Sequence, residues 1–207
     1  MNTPYLVMYT VVYNRLQKLK QRVAGRSYTA SQFTNLLRRQ LNTDAFVFKT
    51  HRDSAVDPDS VIVSGLFDCY DYDSKLPSIT ITLSYHPEQD TYFVGRLNWE
   101  QLAFDLAECV GHEMVHMDQH VFGRAPALKK YRSSDEEKTY LGGDDEIEAY
   151  GFSIAAEQHA FDKPLQECVM YGVYCRTFND DTKVVYKLEQ QVEQYHKELE
   201  TIYEQIN

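Results

Sequence analysis

Between residues 45 and 97 the chain drops helical periodicity for short β-type runs, AFVF, VIVSGLF, SITITLSY and TYFV, bounded by the turn clusters DPD, DYDSKLP and HPEQD. Such runs must pair with one another to satisfy their backbone groups. Helical patterns lie on both sides of them, so the chain is constrained to an α+β fold, with a small, mainly antiparallel sheet packed on helices before and after it.

The flanking helices are legible from spacing. Residues 5 to 23 place Val12, Leu16 and Leu19 on one side, and residues 31 to 41 follow with Ser31 as the expected N-cap. From Asn98, a natural N-cap, a long helix runs to about Phe122, with Trp99, Leu102, Leu106, Val110 and Met117 at helical spacing. The polar connection from Gly123 to Gly143 is long for a structureless loop, which predicts a mobile or functional segment. A further helix opens near Asp144, where its acidic first turn suits the positive end of the helix dipole, and carries Ile147, Tyr150, Ile154 and Ala155 inward. The last segment, 183–206, has Val185, Leu188, Val192, Tyr195, Leu199, Ile202 and Ile206 in a three-four alternation, a heptad seam. That seam serves either a helix packed along its own domain or a homo-oligomeric coiled coil. The expected organisation is one domain over 1–207: a basic helical segment (1–44), the sheet (45–97), two chemistry-bearing helices (98–160) and the heptad helix (183–206).

The net charge of −10 argues against a surface devoted to nucleic acid. The charge is uneven, because residues 1–52 carry nine basic side chains and one acidic one, leaving −18 on the remainder. Arg15, Lys18, Lys20, Arg22 and Arg26 of the first helix are read as a solvated face, or as a surface for the acidic half. LVMYTVVY is too short to cross a bilayer and has no cleavage site after it, so no membrane association and a cytoplasmic location are expected. Cys69, Cys109, Cys168 and Cys175 include no CxxC pair and are read as reduced thiols.

Within the 98–122 helix stands HEMVH, an HExxH motif at residues 112–116. On a helix, His112 and His116 lie one turn apart on one face and can share a Zn²⁺, while Glu113 projects beside them toward a water at the metal, as a general base. A catalytic zinc needs a third protein ligand and an open position. His120 lies about 12 Å along the axis from His112, too far to share its metal, and reads as a polar helix residue. The metzincin position for a third histidine holds Phe122, which rejects that pattern.

HEMVH followed by GGDDEIEAYGFSIAAE resembles the gluzincins, whose third ligand is a Glu on a second helix, commonly followed by Ala. The resemblance covers about residues 98–160. It is similar to small zincin-like proteins of bacteriophages and, more loosely, to the ImmA/IrrE peptidases; a looser likeness to SprT-like proteins ends at HExxH. It implies a zincin-like zinc metallopeptidase acting on a protein or peptide, in the host cytoplasm or the virion if phage-encoded. Its ligands would be His112, His116 and Glu148, which precedes Ala149, with Glu113 catalytic. The Asp that thermolysin-like members carry four residues after the Glu is Phe152 here, so the partner that orients the histidines stays unassigned. Among Asp144, Asp145 and Glu146, the runner-up ligand is Glu146, about 200° around the helix from Glu148 and expected to point to solvent. Tyr131, Tyr140 and Tyr150 are candidate oxyanion stabilisers, and SITITLSY is the expected edge strand for an extended substrate. Two rival readings are a degenerate zincin with a binding or virion structural role and a DNA-associated factor using the basic segment.

Overall fold

The computed structural model describes residues 4–41, 46–68, 78–89, 91–124 and 134–206. Its elements are α1 (Pro4–Val23), β1 (Ser27–Thr29), α2 (Ala30–Leu41), β2 (Phe46–Arg52), β3 (Ile62–Asp68), β4 (Ser78–Tyr85), β5 (Thr91–Phe93), α3 (Trp99–Val121), α4 (Ser134–Leu141), α5 (Asp144–Phe161), α6 (Val169–Thr177) and α7 (Thr182–Ile206). The class is α+β, as expected. The chain divides into two compact units, Val7–Glu113 and Met114–Asn207 with Met1–Leu6. The division falls inside α3 and near the start of α1, so both helices run on from one unit into the other.

In the Val7–Glu113 unit, α2 is opened by a capping box: Thr29 Oγ1 accepts the Gln32 N–H at 3.3 Å, and Gln32 Oε1 accepts the Thr29 N–H at 3.0 Å. The cap is therefore Thr29, two residues before the expected Ser31, because only Thr29 has a Gln three positions on to answer it. Two small sheets form. β1 pairs antiparallel with β5, and the second sheet runs β2-β4-β3, with β2 parallel and β3 antiparallel to β4. The larger sheet is thus mixed, while two of the three strand pairings among the described residues are antiparallel. β4 is its central strand, paired on both sides, which overturns the expectation that SITITLSY offers a free edge. Its strict alternation has a packing cause: Ile79, Ile81 and Leu83 are buried on one face. They share the unit's core with Val12, Leu16 and Leu19 of α1 and Phe33 and Leu37 of α2. Trp99 donates its indole N–H to Leu16 O at 3.0 Å, and Phe33 stacks on Tyr92 with centroids 5.2 Å apart. Two of the basic side chains on α1 are used internally: Lys20 pairs with Glu100 at 2.9 Å, and Arg15 donates to Gln40 O at the end of α2.

In the other unit α5 is buried on almost every side, from Glu146 and Ile147 through Glu157. The heptad positions Leu188, Val192, Tyr195, Leu199 and Ile202 are buried, and α7 packs along α5. Gly151 lets the two helices approach, since a Cβ there would lie 2.5 Å from Gln191 Cβ. The seam is therefore occupied within the chain, the first of the two arrangements it allowed. Tyr5, Phe152 and Tyr195 form an edge-to-face trio with centroids 5.9 to 6.1 Å apart, and the Tyr5 and Tyr195 hydroxyls share a hydrogen bond of 3.1 Å. Glu157 accepts the Val169 N–H at the start of α6 and pairs with Lys163 at 2.9 Å. The expected loop from Gly123 to Gly143 contains helix α4, while its residues 125–133 lie outside the described residues, as does Cys69. Among the described residues no helix is long and apolar enough to cross a membrane.

Candidate metal centre

Asn98 caps α3, its Oδ1 accepting the Gln101 N–H at 3.3 Å, and buried Leu102, Leu106 and Val110 hold the helix in the core. The helix is unbroken to Val121, so His112 and His116 stand one turn apart on one face. His120 is exposed near its end, as expected of a polar helix residue. α5 starts at Gly143 with no side-chain cap, leaving Asp144, Asp145 and Glu146 to offset the unsatisfied N–H groups of its first turn.

One of these three carboxylates meets the histidines. His112, His116 and Glu146 each offer one ligand atom, and the three atoms lie within 4.8 Å of one another; no other such group of His, Cys, Asp and Glu occurs among the described residues. Glu146 is 4% exposed, and its Oε1 is 3.5 Å from His116 Nε2. Ligand atoms on a tetrahedral Zn²⁺, with bonds of about 2.0–2.2 Å, stand about 3.4 Å apart, so small side-chain torsions bring this group to binding distance. Two imidazoles and a carboxylate are also a donor set that zinc accepts.

Glu148 is placed elsewhere. Both of its oxygens accept from Arg124 Nη1 at 3.0 Å, Oε2 accepts from Gln119 Nε2 at 3.1 Å, and Oε1 accepts from the Tyr195 hydroxyl at 3.3 Å. The structure thus groups the histidines with Glu146 and ties Glu148 into an ion pair. The expectation that Glu146 faces solvent failed for a definite reason: α5 has buried residues all around it, so its sequence offers no polar stripe from which to assign faces. Arg124 in turn pairs with Asp118 at 2.6 Å, and the hydrogen bond to Glu148 leads the causes that raise its pKa.

Gln119, a neighbour of the candidate site, was missed by sequence reasoning. It is buried, its Oε1 lies 3.0 Å from His116 Nδ1, and its Nε2 donates to Asp145 O at 2.9 Å as well as to Glu148. The only signal for it in the sequence is its place three residues after His116, where a helix presents the same face.

Glu113 is buried, and its Oε2 accepts the Phe67 N–H of β3 at 2.6 Å. The strand beside Glu113 is therefore β3, the VIVSGLF run, rather than β4. β3 comes close because it has Gly65, where a Cβ would lie 2.6 Å from Glu113 Cγ and 2.7 Å from Cys109 Sγ. Burial first, then Glu108 and Glu113, push the Cys109 thiol well up, which leaves it no nucleophile. Of the candidate tyrosines, Tyr131 lies outside the described residues, Tyr140 is half-buried, and Tyr150 packs edge-on against Tyr174 with centroids 5.7 Å apart.

Compared with protein-family models, curated proteins and solved structures, the chain gives no significant match. Any functional reading rests on its own residues.

Proposed function

We propose that the chain is a zinc-dependent peptidase in which His112, His116 and Glu146 hold the ion and Glu113 is the general base. The observation that carries this reading is the convergence of the three ligand atoms beside an HExxH glutamate. When bound, Zn²⁺ supplies Lewis acidity to the scissile carbonyl and lowers the pKa of a coordinated water toward 7. Glu113 accepts the proton of the attacking water and passes it to the leaving amine. The Phe67 N–H fixes the direction of that carboxylate, so less orientation is lost when a substrate arrives. Among the described residues β3 pairs only with β4, and its Phe67 N–H is held by Glu113. A purely structural metal site does not require a glutamate between the two histidines, so Glu113, beyond its bond to the Phe67 N–H, favours catalysis over a binding or virion structural role.

Elemental analysis of protein purified without added metal should find one Zn²⁺ per chain, and His116→Ala should lose it. Glu113→Gln should keep the zinc and lose hydrolysis of a fluorescent casein, because an amide cannot accept the water proton. Fewer than about 0.2 Zn²⁺ per chain, with no uptake on titration, would overturn the reading.

A further inference from the structure

The geometry points to Gln119 as the residue that positions His116, holding its ring in the Nδ1–H tautomer so that Nε2 faces Glu146. Gln119 is 1% exposed and lies three residues beyond His116 on α3. Its Nε2 donates to Asp145 O at 2.9 Å and to Glu148 Oε2 at 3.1 Å. A backbone carbonyl and an Arg-paired carboxylate can only accept, so the amide has one permitted orientation, with its nitrogen toward these two acceptors. Its oxygen is thereby committed to His116 Nδ1, 3.0 Å away. An amide oxygen also only accepts, so Nδ1 carries the hydrogen. In the neutral ring the lone pair then lies on Nε2, 3.5 Å from Glu146 Oε1; a carboxylate oxygen also only accepts, so a cation held between the two, or a second ring hydrogen on Nε2, reconciles them.

The chain of constraint continues outward. Glu148 holds the Gln119 nitrogen, Arg124 holds both oxygens of Glu148, and Asp118 holds Arg124. Glu148 therefore acts on the candidate centre through Gln119, as a positioning residue. Metal-bound histidines are commonly oriented by a partner on the second ring nitrogen, and loss of such a partner weakens metal binding about 10–100-fold. The inference rests on the proposed metal centre for what this orientation is used for; the hydrogen on Nδ1 is itself a property of the metal-free chain.

Nitrogen-15 NMR of the metal-free full-length chain, recorded well above the ordinary histidine value of about 6.5, reads the tautomer of each ring. His116 is expected as Nδ1–H, whereas an unconstrained imidazole side chain favours Nε2–H. Gln119→Met fills similar space without polar atoms and should return His116 to mostly Nε2–H, with Co²⁺ affinity lower by about 10–100-fold. Should that variant not fold, Gln119→Leu, likewise without polar atoms, is read in the same way. A bare Nδ1 with hydrogen only on Nε2 in the wild type overturns the proposal, as does an unchanged ring state or unchanged Co²⁺ affinity in the folded position-119 variant. A wild-type chain that shows Nδ1–H and takes up no Co²⁺ would leave the positioning intact and overturn the peptidase reading.

Discussion

Gly65→Ala tests the closeness of β3 to α3 on which the proposed role of Glu113 depends. The new methyl group would sit 2.6 Å from Glu113 Cγ, 2.7 Å from Glu113 Oε1 and 2.7 Å from Cys109 Sγ. Carbon atoms in contact normally stand about 3.5–4.0 Å apart, so strand and helix must separate by about 1 Å, or Glu113 and Cys109 must both turn away. Overpacking of this kind costs about 1–3 kcal/mol, and turning Glu113 also strains its charged hydrogen bond to Phe67, which contributes about 1.5–3 kcal/mol. Because the two responses are alternatives in part, the expected loss is about 2–4 kcal/mol, or a fall in Tm of about 5–15 °C for a chain of this size. The proposed ligands are untouched, so on the peptidase reading zinc content should hold while casein hydrolysis falls by about 100-fold, the effect of a 1 Å misplacement of a reacting group. The double variant Gly65→Ala, Glu113→Ala should recover part of the stability, since two of the three clashing atoms are gone and only the Cys109 Sγ contact remains. A Gly65→Ala protein that melts within about 1 °C of wild type and retains its turnover would refute the argument.

Glu146→Ala should abolish stoichiometric zinc binding, whereas Glu148→Ala should retain one Zn²⁺ at saturation with affinity lower by about 10–100-fold, both read by competition titration. Gly151→Val should push α7 off α5 and cost about 1–3 kcal/mol in urea denaturation, given the 2.5 Å separation from Gln191 Cβ. Light scattering over a concentration series should show no association through α7, because its buried positions are occupied by α5. Burial, then the nearby His196, holds His159 below its ordinary value, against an opposing pull from Glu200. A histidine depressed in the folded state contributes stability above its unfolded value of about 6.5 and loses it as pH falls from there toward the folded value. His159→Phe, which keeps a ring against Tyr203, should therefore narrow the difference in urea midpoint between about pH 7 and about pH 5.

Features that depend on local chemistry were legible in the sequence. Asn98 followed by apolar residues at helical spacing located α3, and an unbroken α3 places His112 and His116 on one face. The acidic turn at Asp144 marked the start of α5. Pairing is a long-range property, and the alternation in SITITLSY reports a buried face without saying whether one or two neighbours flank the strand. The choice between Glu146 and Glu148 was hidden for a related reason. Side-chain facing is read from contrast between apolar and polar positions, and an almost wholly buried helix has little contrast. Gln119 could not be anticipated because its importance lies in three partners, Asp145, Glu148 and His116, two of which arrive from another helix.

The hydroxyl contact between Tyr5 and Tyr195 joins residues 190 positions apart. Closing a flexible loop of that length costs about 5 kcal/mol of chain entropy, which the contact can repay only once α5 and α7 are in place around it. On a ribosome adding about 5–20 residues per second, Tyr5 emerges at least about 10 s before its partner is made. Since Tyr195 also donates to Glu148, the end of the chain that anchors Gln119 is completed last. A nascent chain stalled before α7 would carry HEMVH without the Tyr195 contact to Glu148.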